Sequence, residues 1–187
     1  MLTPLSAATV QIQVQDGAGK PLSDAAVFLE SRDQRLSVKP ASGAEMAQSK
    51  RQFDPKVMVV PVGTAVAFPN RDTVRHHVYS FSPTKTFEIK LYAGSDANPV
   101  VFDRPGIAVL GCNIHDNMAA WVVVVETPYY GRSAQAGTVV LNNVPPGNYR
   151  LRVWHPAMAV GAPPIDQALS VGSADSTSAV RLSGLSP

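Results

Sequence analysis

The sequence predicts an all-β protein on three observations. Short apolar runs alternate with polar residues, turn-forming residues separate them at close intervals, and no window carries the i, i+3, i+4, i+7 spacing of an amphipathic helix. The 187 residues include 16 prolines and 13 glycines, and 45% are hydrophobic. That is enough apolar material for a real core, in one large domain or two small ones. The charge balance, 16 Lys and Arg against 14 Asp and Glu, leaves a net +2. Neither sign forms a long run, so no nucleic acid or other polyanion is expected as a partner.

Each element follows from local pattern. VQIQVQD (10–16) alternates strictly, GAGK supplies a turn, and AAVFLE (25–30) follows as a second strand, giving a hairpin-like start. Residues 31–51 are polar and poor in β-branched side chains, which predicts a linker or surface loop. A new series begins at KVMVVPVGTAVAFPN (56–70), where Gly63 and Thr64 turn the chain between two apolar runs. It continues through HVYSF, TFEIKLY, VVF, IAVL and AWVVVV, close-spaced strands that suit a sandwich or barrel of antiparallel hairpins. After ETPYYGRSAQAG the pattern restarts with TVVLNNVPPGNYRLRVW (138–154), turned at Pro145, Pro146 and Gly147. Weaker strands are expected near Ala168 to Val171 and Ala179 to Leu182.

The strongest apolar run, Trp121 to Val125, is strand length, well short of the ~20 residues of a membrane helix. MLTPLSAATV has neither a basic nor an apolar leader region, yet LSAA is the small-residue kind of stretch found around a secretory cleavage site. A periplasmic or otherwise exported protein, with its signal peptide upstream of this chain, is the expectation.

The chemistry concentrates in GCNIHDNM (111–118), which holds the single cysteine. One cysteine excludes an internal disulfide, so the thiol is buried, reactive or a ligand. Cys112, His115 and Met118 at C-x2-H-x2-M can reach one ion from a tight loop between strands. Soft sulfur with imidazole suits copper, leaves zinc open through Cys and His, and does not suit magnesium or calcium, which take oxygen ligands. A trigonal His2Cys site with a long axial Met needs one more histidine, and His76, His77 and His155 are the candidates. His76 and His77 point to opposite faces of any strand that carries them. His77 shares its face with Tyr79 and Phe81, and His76 with Val78 and Ser80, so alternation alone leaves the choice open.

These motifs resemble known families. FDPKVMVVPVGTAVAFPNRDTVRHHVYSF followed by FDRPGIAVLGCNIHDNMAAWVVVV is similar to a cupredoxin, a Greek-key β-sandwich carrying type 1 (blue) copper, with a ligand loop of amicyanin-like length. VQDGAGKPLSDAAVFLE and NVPPGNYRLRVW resemble the two halves of a carboxypeptidase-regulatory-like or Cna-B-like β-sandwich. The segments that carry those halves, 8–40 and 127–183, are separated by roughly ninety residues, more than a loop spans. A cupredoxin copper domain at 52–126 inserted into a discontinuous sandwich of 8–40 and 127–183 is therefore expected, and the whole chain resembles methylamine-utilization-type cupredoxin proteins.

The resemblance implies one type 1 copper per chain, held by His76, Cys112, His115 and Met118, with His77 as the alternative first ligand. His76 is preferred because it lies six positions after Asn70, as the family's histidine does after an asparagine. That asparagine ties the first-histidine loop to the cysteine loop, a role Asn70 takes by resemblance. The sequence departs from the family at Gly111, where an aromatic is common, and at His77, where the family has asparagine.

The implied function is single-electron transfer between redox partners in the cell envelope, without catalysis by the chain itself and without a small-molecule substrate. A dehydrogenase or a cytochrome c type protein is the expected partner, with His115 as the electron port and Arg71 and Arg75 giving its rim positive character. Rival readings are a subunit of a larger copper oxidoreductase, disfavoured by only four histidines, and a copper-free or copper-sensing interaction module of the envelope.

Overall fold

The computed structural model describes residues 7–94, 97–115 and 117–186. Every regular element among them is a strand, so the chain is all-β. In chain order these are β1 (Ala8–Asp16), β2 (Ala26–Ser31), β3 (Ala44–Glu45), β4 (Ala47–Ser49), β5 (Gln52–Asp54), β6 (Val57–Pro61), β7 (Thr64–Ala67), β8 (His76–Ser82) and β9 (Lys85–Tyr92). They continue with β10 (Val100–Phe102), β11 (Gly106–Cys112), β12 (Ala119–Val125), β13 (Tyr130–Arg132), β14 (Thr138–Val144), β15 (Gly147–Trp154), β16 (Ile165–Val171) and β17 (Ser176–Leu182). The chain divides into two compact units, one of Met1–Ser37 with Thr127–Pro187 and one of Val38–Glu126. They are called the flanking and the central unit below, by their order in the sequence.

The flanking unit pairs a three-stranded sheet, β14-β1-β17, with a four-stranded sheet, β13-β2-β15-β16. In β1 the alternation puts Val10, Ile12 and Val14 wholly inside while Gln11 and Gln13 face outward. These side chains meet Val27, Leu29, Leu151 and Val153 from the opposite sheet in one aliphatic core. β1 and β2 do not form the expected hairpin. Both edges of β1 are occupied, by β14 antiparallel and β17 parallel. The Asp16 turn, in which its carboxylate accepts from the backbone N–H of Ala18 and Lys20, hands the chain to the other sheet. The Pro145–Pro146 turn does the same between β14 and β15.

The central unit contains a five-stranded sheet, β6-β12-β11-β8-β9, a three-stranded sheet, β10-β7-β3, and the β4-β5 ribbon. Val66, Phe68 and Phe102 from one side pack with Val78, Leu110, Val122 and Val124 from the other. Gly63, at φ 86°, turns the chain between β6 and β7, and again the turn connects two sheets rather than closing a hairpin. Antiparallel hairpins do occur, as β8-β9 and β11-β12, but β6-β12 and β3-β7 are parallel. The sheets are mixed because period-2 patterning specifies a strand and its buried face, not its partner.

The expectation of a linker over 31–51 requires correction. Residues 44–49 form β3 and β4, and Met46 and Gln48 are wholly buried in the central unit. Strands of two and three residues are too short for alternation to register.

Candidate metal centre

Strand register assembles the first half of the site. Cys112 ends β11 opposite Val78 of β8. Along β8 the inward residues are His76, Val78 and Ser80, and the outward ones are His77, Tyr79 and Phe81. His76 therefore projects from the same face as Val78, two residues nearer the strand end, which is the position beside Cys112. Its Nδ1 lies 3.7 Å from Cys112 Sγ, and both side chains are buried.

The β11–β12 loop adds the second half. Pairing of Gly111 with Ala119 closes the loop, and a turn from Met118 N to His115 O folds it back. The His115 ring stands 5.3 Å from that of His76, centroid to centroid. One donor atom each from His76, Cys112 and His115 lies within 4.8 Å of the others. Among the described residues, Nδ1 of His115 is buried and has no hydrogen-bond partner. A buried imidazole nitrogen without a partner is costly unless something else binds it. Met118 is 2% exposed, belongs to the same core cluster and lines the same surface cavity as Cys112. The set is one thiol, two imidazoles and a neighbouring thioether, which fits a soft or borderline metal ion.

Behind His76 lies a polar loop that the sequence reading did not assign. His76 Nε2 is 2.7 Å from Asp72 Oδ2. The same carboxylate accepts from the backbone N–H of Lys50 (2.6 Å) and of Arg51 (2.9 Å). Burial works to raise the Asp72 carboxyl, but the hydrogen bonds from Arg51, His76 and Lys50 outweigh it and hold the group below its ordinary value. Asn70, 4% exposed, accepts from Asp72 N and donates to the carbonyls of Val74 and Tyr92. Asn70 thus shapes the first-histidine loop and ties it to β9. Among the described residues these bonds do not reach the cysteine loop, which was the other half of its expected role.

The remaining candidates fall elsewhere. His77 faces the outer side of β8, with Nδ1 3.2 Å from Asn113 Nδ2 and Nε2 at ion-pair distance, 2.9 Å, from Glu88 Oε1. His155 belongs to the flanking unit, where Nε2 donates to Ser23 O and Nδ1 accepts from Ala157 N. Arg71 is paired with Glu45, which reduces the positive character expected of it. Gly111 has a local reason: a Cβ there would stand 2.7 Å from the Tyr79 ring, so the aromatic of β8 covers the place that an aromatic at 111 would need. Asp72 was missed because a carboxylate four residues before a histidine in a loop has no periodicity to mark it.

No protein-family model matches the chain, and no curated protein sequence does either. Several solved structures are similar to part of it. A Cu-containing nitrite reductase from Thermus scotoductus SA-01 is 23% identical over 52% of this chain and 27% of its own, with a TM-score of 0.44. A purple cupredoxin from Nitrosopumilus maritimus is 23% identical over 44% of this chain and 99% of its own, with a TM-score of 0.39. A reduced Cu(I) amicyanin variant is 21% identical over 53% of this chain and 98% of its own, with a TM-score of 0.41. The chain thus spans about a quarter of the length of the nitrite reductase.

Proposed function

We propose that the chain is a type 1 copper protein that carries single electrons, with a cupredoxin domain in the central unit and a Cna-B-like sandwich in the flanking one. The observation that carries this reading is the convergence of buried Cys112 and His76 with partly exposed His115, whose Nδ1 is buried and unpartnered among the described residues. His76, Cys112 and His115 would hold the ion, with Met118 as the fourth, weaker donor. A cysteine and two histidines with a distant thioether is the donor set of blue copper, and structural zinc sites close instead with Cys and His alone. Bound there, copper would supply one-electron redox chemistry.

The protein's part is to keep the donors still. His76 and Cys112 sit on paired strands, and the turn at Met118 N pins the loop that carries His115. Little rearrangement is then needed between oxidation states. His115 is partly exposed, unlike His76, which makes it the side chain through which an electron would leave. The proposed partner is a redox protein of the cell envelope, a dehydrogenase or a cytochrome c type protein.

Titration of the metal-free protein with Cu(II) tests this directly. One equivalent per chain is expected to give an intense blue thiolate-to-copper absorption band, and Cys112→Ser is expected to abolish it. A colourless product, or a band that survives in Cys112→Ser, would overturn the reading.

A further inference from the structure

We infer that Asp72 is the positioning residue of His76, and that the β4–β5 turn is the device that holds Asp72 in place. β4 and β5 pair Ser49 with Gln52, leaving Lys50 and Arg51 as a two-residue loop at φ 53° and 58°. Such a loop favours Asn-Gly, because side chains other than glycine resist positive φ. Here Lys and Arg adopt it, and the reward is geometric. Successive N–H groups in this conformation converge, and both point at the Asp72 carboxylate. Asn70 Oδ1 fixes the same residue by accepting from the Asp72 backbone N–H.

The carboxylate so held accepts from His76 Nε2 at 2.7 Å. An ionised carboxylate can only accept, so in the neutral ring Nε2 carries the proton and the lone pair is left on Nδ1, the nitrogen that faces Cys112. The tautomer and the ring orientation are selected before any ion arrives. Turning the ring over would set a C–H against the carboxylate. A carboxylate behind a ligating imidazole also makes it a stronger donor, which favours the more highly charged ion.

The effect on the potential rests on the copper reading, whereas the choice of tautomer does not. The experiment therefore has two arms. In metal-free, 15N-labelled protein, the His76 ring nitrogens are expected to show a single Nε2–H tautomer, and Asp72→Ala is expected to give a mixture. In copper-loaded protein, Asp72→Ala is expected to lose about 10–100-fold in Cu(II) affinity, with less change for Cu(I). Each tenfold difference between the two ions raises the one-electron potential by about 59 mV.

A folded Asp72→Ala that keeps the single tautomer and the wild-type potential would overturn the inference. If that variant does not fold, Asp72→Asn, of equal size, decides by the potential: a rise supports the role and no change sinks it. If the wild type never turns blue, the copper reading fails, and the tautomer comparison still decides the role of Asp72.

Discussion

The flanking and central units are built alike, short strands around an apolar core, yet they treat their polar groups differently. In the flanking unit the core is aliphatic apart from Tyr149, whose hydroxyl donates to Pro145 O. Its histidine has both ring nitrogens engaged by backbone, and its charges form a grid in which Arg150 and Arg152 each bridge Glu30 and Asp166. In the central unit the core contains Cys112 and Met118, and beside them stand His76 and His115, the latter with a buried nitrogen that no described residue satisfies. One unit thus engages its histidine and its charges closely, whereas the other brings a thiol and two imidazoles together, the arrangement expected where an ion is bound. The contrast is sharper evidence than the cysteine alone, because a lone buried thiol is ordinarily just a small apolar side chain.

The widest test of that contrast lies within the central unit, between neighbours on one strand. His76→Ala removes an inward donor, and His77→Ala removes a ring held on the outer face by Asn113 and Glu88. Copper affinity, measured by competition with a chelator of known strength, is expected to fall in His76→Ala by more than the roughly 10–100-fold typical of losing only a ligand's hydrogen-bond partner. His77→Ala is expected to change it little. The opposite order would place the wrong face of β8 inward.

A second variant breaks the comparison from the other side. Leu151 is wholly buried in the flanking core. Truncation to alanine there is expected to cost about 2–5 kcal/mol, from lost burial and the cavity left behind. Denaturant unfolding would measure that loss. The copper absorption band at low denaturant should keep its position and intensity, since none of the donors belongs to that unit. A shifted band would mean that the two cores are not separate in the way their composition suggests.

What the sequence reveals of all this depends on range. Strand positions were legible where apolar residues alternated or ran together for five residues or more, as in β1 and β12, and so was the C-x2-H-x2-M spacing of Cys112, His115 and Met118. Strand partners were not. The turns at Gly17–Gly19, Gly63 and Pro145–Pro146 carry hairpin chemistry, but each passes the chain between sheets, because the edges that a hairpin would use are taken by distant strands. The choice between His76 and His77 was open on alternation for a related reason. Tyr79 and Phe81 look like the apolar face of β8, yet Phe81 is 76% exposed and the buried face is that of Val78 and Ser80. The Asp72 network was illegible because its parts lie in three loops and strands, from Lys50 to His76, whose meeting is set only by tertiary packing.

The smallest expected effect concerns the polar groups behind the site. Tyr92 ends β9 with its hydroxyl 2.7 Å from Gln48 Oε1 and also bonded to Phe68 O, and Gln48 is wholly buried. Burial is the main cause that pushes the Tyr92 phenol up to about 12, with the nearby Cys112 acting in the same direction and the Gln48 bond against it. The unfolded phenol titrates near pH 10. Between about pH 10 and 12 the unfolded chain therefore binds fewer protons than the folded one, and stability falls as pH rises through that window. Below it the contribution is fully present. Tyr92→Phe has no such proton to lose. At neutral pH it is expected to be less stable than wild type by about 1 kcal/mol, for the lost hydrogen bond to a buried amide. Above pH 10 that difference should narrow, as the wild type alone takes on the alkaline penalty. Urea unfolding of both proteins at pH 7 and pH 11 would check it. A gap equally wide at both pH values would mean that the phenol of Tyr92 titrates in the folded protein much as it does in the unfolded chain.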